Sequence, residues 1–248
     1  MLLTVLAEGE TKIINAAMEP EIVDLANYLN KMGAKIQGAG SNIIKIKGVK
    51  HLKDVGYNIM PDRIEAGTLL CTVASTGGKV LLQRADPEHL VSILHKLENS
   101  GCKIETGKDW IKLEAPKRLT NVEIKTMPYP GFPTDMQSVL AGMLTTAKGT
   151  SIVIENIFEN RYKYVNELRK MGAKMTVEGK MCVIKGTRKL YGAKVDATDL
   201  RGGACLILAG ITAKGKTEIS NAKYILRGYE NLDKKLNTLG AKITLKEI

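Results

Sequence analysis

The sequence predicts an α/β (α+β) fold built from repeated β-α-β-α-β-β units. The main observation is a phrase that returns four times: LNKMGAKI at residues 29–36, LENSGCKI at 97–104, LRKMGAKM at 168–175 and LNTLGAKI at 236–243. A second phrase containing glycine keeps the same spacing and begins at residues 7, 76, 147 and 213. Two phrases that recur together at about 70 residues indicate one supersecondary unit used several times.

The third copy shows the first half of the unit. Residues 122–126 and 151–154 alternate in the way that half-buried strands do. Between them, Asp135 stands where a helix N-cap belongs, and Gly149 follows the predicted helix. One face of this helix is formed by Met136, Val139, Leu140, Met143 and Leu144. These residues predict a buried helix between two strands.

The second half of the copy predicts a second helix and two more strands. Asn160 is expected to cap the helix, and Gly172 to end it. Its inward face is expected to be Tyr164, Val165, Leu168 and Met171. Strands are predicted through residues 175–177 and 181–184.

The two helices of each unit differ in character. The first is nearly apolar throughout, as at residues 206–211, whereas the second is amphipathic, with Leu90, Ile93, Leu94 and Leu97 as an example. Because an all-apolar helix must be buried on every side, we expect an inside-out α/β domain. In it the apolar helices lie inside, and the sheets and amphipathic helices lie outside.

The first copy begins at Met1, inside its predicted apolar helix, so we expect three whole units plus part of a fourth. The expected domains are residues 1–60, the last unit of an incomplete domain, and residues 61–248, a domain of three units. We therefore expect part of the N-terminal side to be missing.

The composition of the chain limits the kinds of partner that it is expected to bind. The net charge of +11 suits an anionic partner, but only 4% of the residues are aromatic, so we expect no nucleic acid as a partner. No apolar run is long enough to span a bilayer, so no membrane partner is expected. The three histidines are too dispersed to predict a metal site. Four scattered cysteines, Cys71, Cys102, Cys182 and Cys205, predict buried free thiols in a cytoplasmic protein.

Three aspartates share one position of the repeat. Asp62, Asp135 and Asp199 all stand at the start of an apolar helix, where aspartate is a preferred N-cap. Asp62 with Glu65 has the spacing of a capping box. Capping is the expected role of all three, although a capping carboxylate can also face a cleft.

Four arginines stand at corresponding helix starts. Arg63 and Arg201 fall in the first turn of apolar helices, and Arg161 and Arg227 are expected at the start of amphipathic helices. A cation there is opposed by the helix dipole, and helix N-termini favour anions. An arginine could instead pair with a nearby acid, and three such pairs are available: Arg63 with Asp62, Arg161 with Glu159, and Arg227 with Glu230. Four equivalent positions favour a shared site for a carboxylate or phosphate.

Several short segments together resemble the enolpyruvyl transferases. They are EPEIVD at 19–24, PDRIEAG at 61–67, FPTDMQ at 132–137, FENR at 158–161, ATDLR at 197–201 and RGYE at 227–230. The resemblance is strongest to the members that act on UDP-N-acetylglucosamine, and it covers the C-terminal three-fifths of such an enzyme. It implies transfer of the enolpyruvyl group of phosphoenolpyruvate to the sugar 3-hydroxyl with loss of phosphate, the first committed step of peptidoglycan synthesis. No metal or organic cofactor is implied.

The resemblance also implies roles for single residues. Asp135 matches the candidate base at the sugar hydroxyl and a contact of UDP-N-acetylglucosamine, and Ile157 matches a second sugar-nucleotide contact. Asp199 matches an acidic residue beside the transferring group. The arginines expected to hold phosphoenolpyruvate are Arg161, Arg201 and Arg227.

The family's nucleophile cysteine loop has no counterpart in this sequence, so the chain is expected to be inactive alone. Two alternatives stay open. One is an enolpyruvyl transferase of the shikimate pathway. The other is a non-catalytic repeat domain that binds anionic ligands or nucleic acid. The sequence leaves the oligomeric state open.

Overall fold

The computed structural model describes residues 1–246, and the chain divides into two compact units. The first consists of Met1–Pro61 together with Pro128–Gly131, and the second of Asp62–Met127 together with Phe132–Ile248. The last two residues of the expected 61–248 domain lie outside the described residues.

The first unit contains one helix and one sheet. The elements are β1 (Glu10–Ile14), α1 (Pro20–Lys31), β2 (Lys35–Gln37) and β3 (Ile43–Lys47). The strands pair antiparallel in the order β1-β3-β2. Alternate residues Ile44 and Ile46 of β3 are buried beside Ala26 and Leu29 of α1, which gives this unit its own small core.

Residues 2–6 form turns, so the expectation that Met1 lies inside a helix is wrong. The backbone N–H groups of Thr4 and Val5 both donate to the Met1 carbonyl, and Leu2, Leu3 and Leu6 are exposed. A helix has a costly nucleus, and this short segment buries Val5 but leaves its three leucines exposed, which does not repay that cost.

The second unit carries the remaining elements. In chain order they are α2 (Arg63–Thr76), β4 (Gly78–Gln83), a 3₁₀ turn (Pro87–Leu90), α3 (Val91–Asn99), β5 (Lys103–Thr106), β6 (Trp110–Ala115), β7 (Glu123–Lys125), a 3₁₀ turn (Thr134–Met136), α4 (Gln137–Leu144), β8 (Thr150–Ile154), α5 (Tyr164–Lys170), β9 (Lys174–Glu178), β10 (Met181–Lys185), β11 (Lys194–Asp196), α6 (Leu200–Thr212), β12 (Glu218–Ser220), α7 (Lys223–Leu226) and α8 (Leu232–Thr238).

In the described part of this unit there are three sheets, one for each repeat. Their strand orders are β4-β6-β5, β7-β8-β10-β9 and β11-β12. β7 pairs parallel with β8, and β11 pairs parallel with β12, whereas the other pairs are antiparallel. In the third copy α4 connects the parallel strands β7 and β8, and in the fourth copy α6 connects β11 and β12, so these two apolar helices are crossovers of β-α-β units.

The three apolar helices pack on one another, which confirms the inside-out arrangement. α4 contacts both α2 and α6, and α2 contacts α6. All eight residues of α4 are buried, and Met136, the first residue of the predicted face, is buried in the 3₁₀ turn that precedes α4. The predicted inward residues of α3 and α5 are buried too. The close approach uses small residues, since a Cβ atom added to Gly142 of α4 would lie 2.6 Å from Cys205 Sγ of α6.

The LxxxGxK phrase marks the same local structure in every copy. The glycines Gly33, Gly101, Gly172 and Gly240 follow α1, α3, α5 and α8, with φ values of +104°, +101°, +92° and +98°. A left-handed glycine after the last helical turn is the usual helix stop, because glycine has no Cβ atom to clash there. The repeated glycine is therefore a C-terminal cap.

The repeat is less regular than the sequence indicates. Residues 48–62 contain no strand ahead of α2, which leaves β4 at the edge of its sheet. Within residues 241–246, no strand follows α8. Asn160 does not cap α5. It lies in a turn at φ +55°, and α5 begins later, at Tyr164.

All four cysteines are free and buried, as expected. In the described part of the chain, no helix has the length and apolar character needed to cross a membrane.

Candidate functional site

Asp135 is clamped between two arginines from distant parts of the chain. Its Oδ1 lies 2.7 Å from Arg161 Nη2, and its Oδ2 lies 3.0 Å from Arg201 Nη2. Asp135 stands in the 3₁₀ turn before α4, Arg161 in the turn before α5, and Arg201 in the first turn of α6. The three elements therefore bring two cations and one carboxylate to a common point.

Asp135 is not a helix cap, which corrects the sequence-based expectation. The cap position of its 3₁₀ turn is Pro133, and neither that turn nor α4 has a capping side chain. The carboxylate faces the two arginines instead. Asp62 and Asp199 do cap, each accepting hydrogen bonds from two backbone N–H groups of α2 or α6.

The expected capping box is only half formed. Asp62 accepts from the Glu65 backbone N–H, but the Glu65 carboxylate pairs with Lys235 Nζ. Within residues 1–246, that carboxylate accepts no hydrogen bond from the Asp62 backbone N–H.

Arg201 is held from its other side by Tyr229. Its guanidinium carbon lies 5.6 Å from the centre of the Tyr229 ring, and its Nη1 donates to the Tyr229 hydroxyl at 3.3 Å. The same hydroxyl lies 3.0 Å from Thr68 Oγ1 of α2. Burial would lower the pKa of Arg201, but Tyr229 and Asp135 outweigh burial and raise the pKa. Arg201 is thus a fixed cation.

Arg161 is a second, nearly buried cation. Its side chain is 10% exposed, and its guanidinium carbon lies 4.9 Å from the centre of the Phe158 ring. Nη2 also donates to the Thr134 carbonyl at 3.2 Å. The buried Nε has no hydrogen-bond partner in the described part of the chain. The alternative pairing of Arg161 with Glu159 is wrong, because Arg161 pairs with Asp135.

The electrostatics of the cluster favour an added anion. Burial would raise the pKa of Asp135, but the charges and hydrogen bonds of Arg201 and Arg161 hold that pKa below its ordinary value. One carboxylate against two guanidinium groups leaves a net charge of about +1. Charge-assisted contacts from arginine suit carboxylate and phosphate groups in particular.

The other predicted site residues have different surroundings. Asp199 caps α6, and its Oδ2 lies 3.2 Å from Thr198 Oγ1. Arg227 is exposed at the end of α7, so it does not begin a helix, and its guanidinium group makes no hydrogen bond or ion pair with another described residue. Ile157 is 46% exposed, and its backbone N–H donates to Glu155. Side-chain contacts join Asp135, Arg161 and Arg201, and the Arg201 backbone N–H donates to Asp199 Oδ1 at 3.0 Å.

Sequence reasoning missed Glu155, a carboxylate that is only 3% exposed. Four groups donate to it: the hydroxyls of Thr126 and Thr134 and the backbone N–H groups of Ile157 and Phe158. Its signal in the sequence is weak, because a glutamate after a strand usually starts a solvated loop. Thr134 and Tyr229 lay inside matched motifs but received no role.

Among the described residues, no group of three or more His, Cys, Asp or Glu side chains is arranged to hold a metal ion.

Comparison with known proteins identifies the family. The model of the EPSP synthase (3-phosphoshikimate 1-carboxyvinyltransferase) family matches residues 1–236. UDP-N-acetylglucosamine 1-carboxyvinyltransferase 1 of Caldanaerobacter subterraneus subsp. tengcongensis is 51% identical over 246 residues, covering 99% of this chain and 59% of the relative. UDP-N-acetylglucosamine 1-carboxyvinyltransferase 2 of Bacillus subtilis is 51% identical over 244 residues, covering 98% of this chain and 57% of the relative. The chain thus spans less than two thirds of these relatives.

Solved structures agree on the fold. The enolpyruvyl transferase NikO from Streptomyces tendae superimposes with a TM-score of 0.86 at 26% identity, covering 97% of this chain and 57% of that one. EPSP synthase from Acinetobacter baumannii superimposes with a TM-score of 0.78 at 19% identity, covering 99% of this chain and 60% of that one. Because the family model matches residues 1–236 of this chain, the chain belongs to the EPSP synthase family of enolpyruvyl transferases.

Proposed function

We propose that this chain supplies the arginine and aspartate part of a site that moves the enolpyruvyl group of phosphoenolpyruvate to the 3-hydroxyl of UDP-N-acetylglucosamine. The convergence of Arg161 and Arg201 on Asp135 carries the proposal. The relatives that are about 50% identical over almost the whole chain support the choice of sugar nucleotide.

The two arginines have the chemistry that phosphoenolpyruvate requires. The substrate carries a carboxylate and a phosphate, and negative charge gathers on the phosphate as it leaves. Fixed guanidinium groups stabilise such charge without reorganising, because their neighbours already hold them in place. Tyr229 does this for Arg201, and Phe158 lies against Arg161.

Asp135 is a weak base while both arginines hold it. A bound anion would share the same guanidinium groups and loosen their hold on the carboxylate, which would raise the pKa of Asp135. In this role Asp135 orients the sugar hydroxyl and takes its proton late. The sugar oxygen forms its bond to the enolpyruvyl carbon, and the bond between that carbon and the phosphate oxygen breaks.

The remaining roles follow the family pattern. Asp199 lies beside the transferring group, Arg227 adds a third contact to phosphoenolpyruvate, and Ile157 contacts the sugar nucleotide. Residues 1–60 act as the last unit of a first domain and residues 61–248 as the second domain. The reaction uses no metal or organic cofactor and no nucleic acid or membrane partner. It takes place in the cytoplasm, in keeping with four free thiols.

A chimera tests the proposal. The first two-fifths of the Bacillus subtilis relative is joined ahead of Met1, and phosphate release is measured with phosphoenolpyruvate and UDP-N-acetylglucosamine. We expect turnover by the chimera and none by this chain alone. We expect Asp135→Asn to lower turnover at least about a hundredfold, the scale of a lost acid–base group. Unchanged turnover in a folded Asp135→Asn chimera would contradict the role of the cluster.

The description of the family model supports one alternative acceptor, 3-phosphoshikimate. The same chimera assay run with that acceptor separates the two. Turnover with 3-phosphoshikimate and none with UDP-N-acetylglucosamine would assign the chain to the alternative reaction.

A further inference from the structure

Glu155 joins three segments around the candidate site. Its Oε1 accepts from Thr126 Oγ1 at 2.8 Å and from the Ile157 and Phe158 backbone N–H groups at 2.8 and 2.9 Å. Its Oε2 accepts from Thr134 Oγ1 at 2.9 Å. One carboxylate therefore binds the residue after β7, the residue before Asp135, and the turn that leads to Arg161.

The surroundings of this carboxylate are unusual. Burying a charge is costly unless hydrogen bonds or an opposite charge compensate for it. Among residues 1–246, no lysine, arginine or histidine forms an ion pair with Glu155, and four neutral donors provide the compensation. A core position held only for stability is better filled by an apolar side chain. The four hydrogen bonds instead fix the directions of the segments that supply them.

Two of those segments carry residues of the ion pair between Asp135 and Arg161. Thr134 is bonded directly to Asp135 in the chain, and the turn at Ile157 and Phe158 leads within a few residues to Arg161. The two segments are also joined directly, because Arg161 Nη2 donates to the Thr134 carbonyl. A shift of either segment would change the contact between Asp135 and Arg161, which is 2.7 Å long.

We propose that Glu155 is a positioning residue that sets the geometry of Asp135 against Arg161 through its hydrogen bond to Thr134. Its purpose rests on the proposed function, but its test does not, because the position of Asp135 can be measured without substrate.

The test is a matched pair of valine substitutions in this chain. Thr134→Val removes the link between Glu155 and the Asp135 segment. Thr126→Val removes a hydrogen bond to the same carboxylate while leaving that link intact. Stability is measured by urea unfolding, and the titration of the Asp135 carboxyl carbon is followed by NMR with labelled aspartate, assigned with Asp135→Asn.

We expect Thr134→Val to move the titration midpoint of Asp135 up toward the ordinary range of an aspartate, because the arginines hold it less well. We expect Thr126→Val to cost at least as much stability, since Thr126 Oγ1 also accepts from the Asn156 N–H, yet to leave that midpoint in place. An unmoved midpoint in Thr134→Val, or an equal movement in both variants, would overturn the positioning role.

Two substitutions of Glu155 itself complete the experiment. Glutamine keeps one acceptor oxygen for the donors on Oε1, and its amide can donate to Thr134 Oγ1, so Glu155→Gln should keep the Asp135 midpoint. Glu155→Ala should move it upward. Should Glu155→Ala fail to fold, the valine pair decides. A chimera without turnover would refute the proposed reaction while leaving this result intact.

Discussion

For Asp135, the sequence predicted the position at the start of an apolar helix correctly, but the capping role was wrong. The repeat put it at the start of an apolar helix, where capping is the common use of an aspartate. The carboxylate instead accepts from Arg161 and Arg201, 26 and 66 residues away along the chain. Local spacing contains no information about partners so distant.

The first prediction concerns the pH dependence of stability. The pKa of Asp135 is lower in the folded chain, so its ion pairs stabilise the fold above the unfolded pKa of about 3.9, and this is lost as the pH falls through the folded pKa. We expect Asp135→Asn to lose less stability than the wild type between about pH 7 and about pH 3. Urea unfolding at both pH values measures it. Identical pH dependence in the two proteins would contradict the ion pairs.

The second prediction concerns the thiols. Burial raises the pKa of Cys182 to about 12 and also raises the pKa values of Cys71, Cys102 and Cys205. Thiolates are the reactive form, so an epoxide phosphonate such as fosfomycin or a disulfide reagent should not label the native chain. Intact mass spectrometry should show no adduct before unfolding, and the disulfide reagent should label four thiols in urea. A stoichiometric adduct on the native chain would disprove this expectation.

At the scale of elements, the three apolar helices depend on close contacts through small residues. Sequence patterning predicted these helices well, because a helix without a polar face must be buried in the core. It predicted helix ends less well. Asn160 and Asp135 both look like caps, yet α5 begins after a turn, and α4 begins without a side-chain cap.

The third prediction tests the contact between α4 and α6. Gly142→Ala would place a methyl group 2.6 Å from Cys205 Sγ and 3.4 Å from the Cys205 carbonyl oxygen. We expect a loss of about 1–3 kcal/mol in the free energy of unfolding, as for other overpacked cores. Gly67→Ala is the control, because its methyl group would meet the flexible end of Met136 at 2.9 Å. A larger loss of unfolding free energy for Gly67→Ala than for Gly142→Ala would contradict a rigid contact between α4 and α6 at Gly142.

At the scale of the whole molecule, the repeat predicted the fold because each copy carries its own glycine stop and its own apolar helix. The candidate site was predicted in part. Arg161, Arg201 and Asp135 came from matched motifs, but their ion pairs depend on how three copies pack together. Glu155 was missed because its proposed role depends on four hydrogen-bond donors, which come together around it when the chain folds.

The charge of the whole chain does not by itself identify a partner. A net charge of +11 is spread over many exposed lysines, and such charges attract any anion weakly. The cluster at Asp135 differs, because its two arginines are nearly buried and fixed by aromatic neighbours. A site and a diffuse surface therefore predict different responses to single substitutions.

Binding of phosphoenolpyruvate to this chain, compared between Arg201→Ala and Arg188→Ala, tests the anion site most directly. Both variants lose one positive charge from the same unit, but Arg188 is exposed and outside the cluster. An NMR or calorimetric titration should show weak binding by the wild type and by Arg188→Ala. Arg201→Ala should bind at least about tenfold more weakly, since a lost hydrogen bond to a charged group costs about 1.5–3 kcal/mol. Equal affinities in the two variants would contradict a shared anion site at Asp135, Arg161 and Arg201.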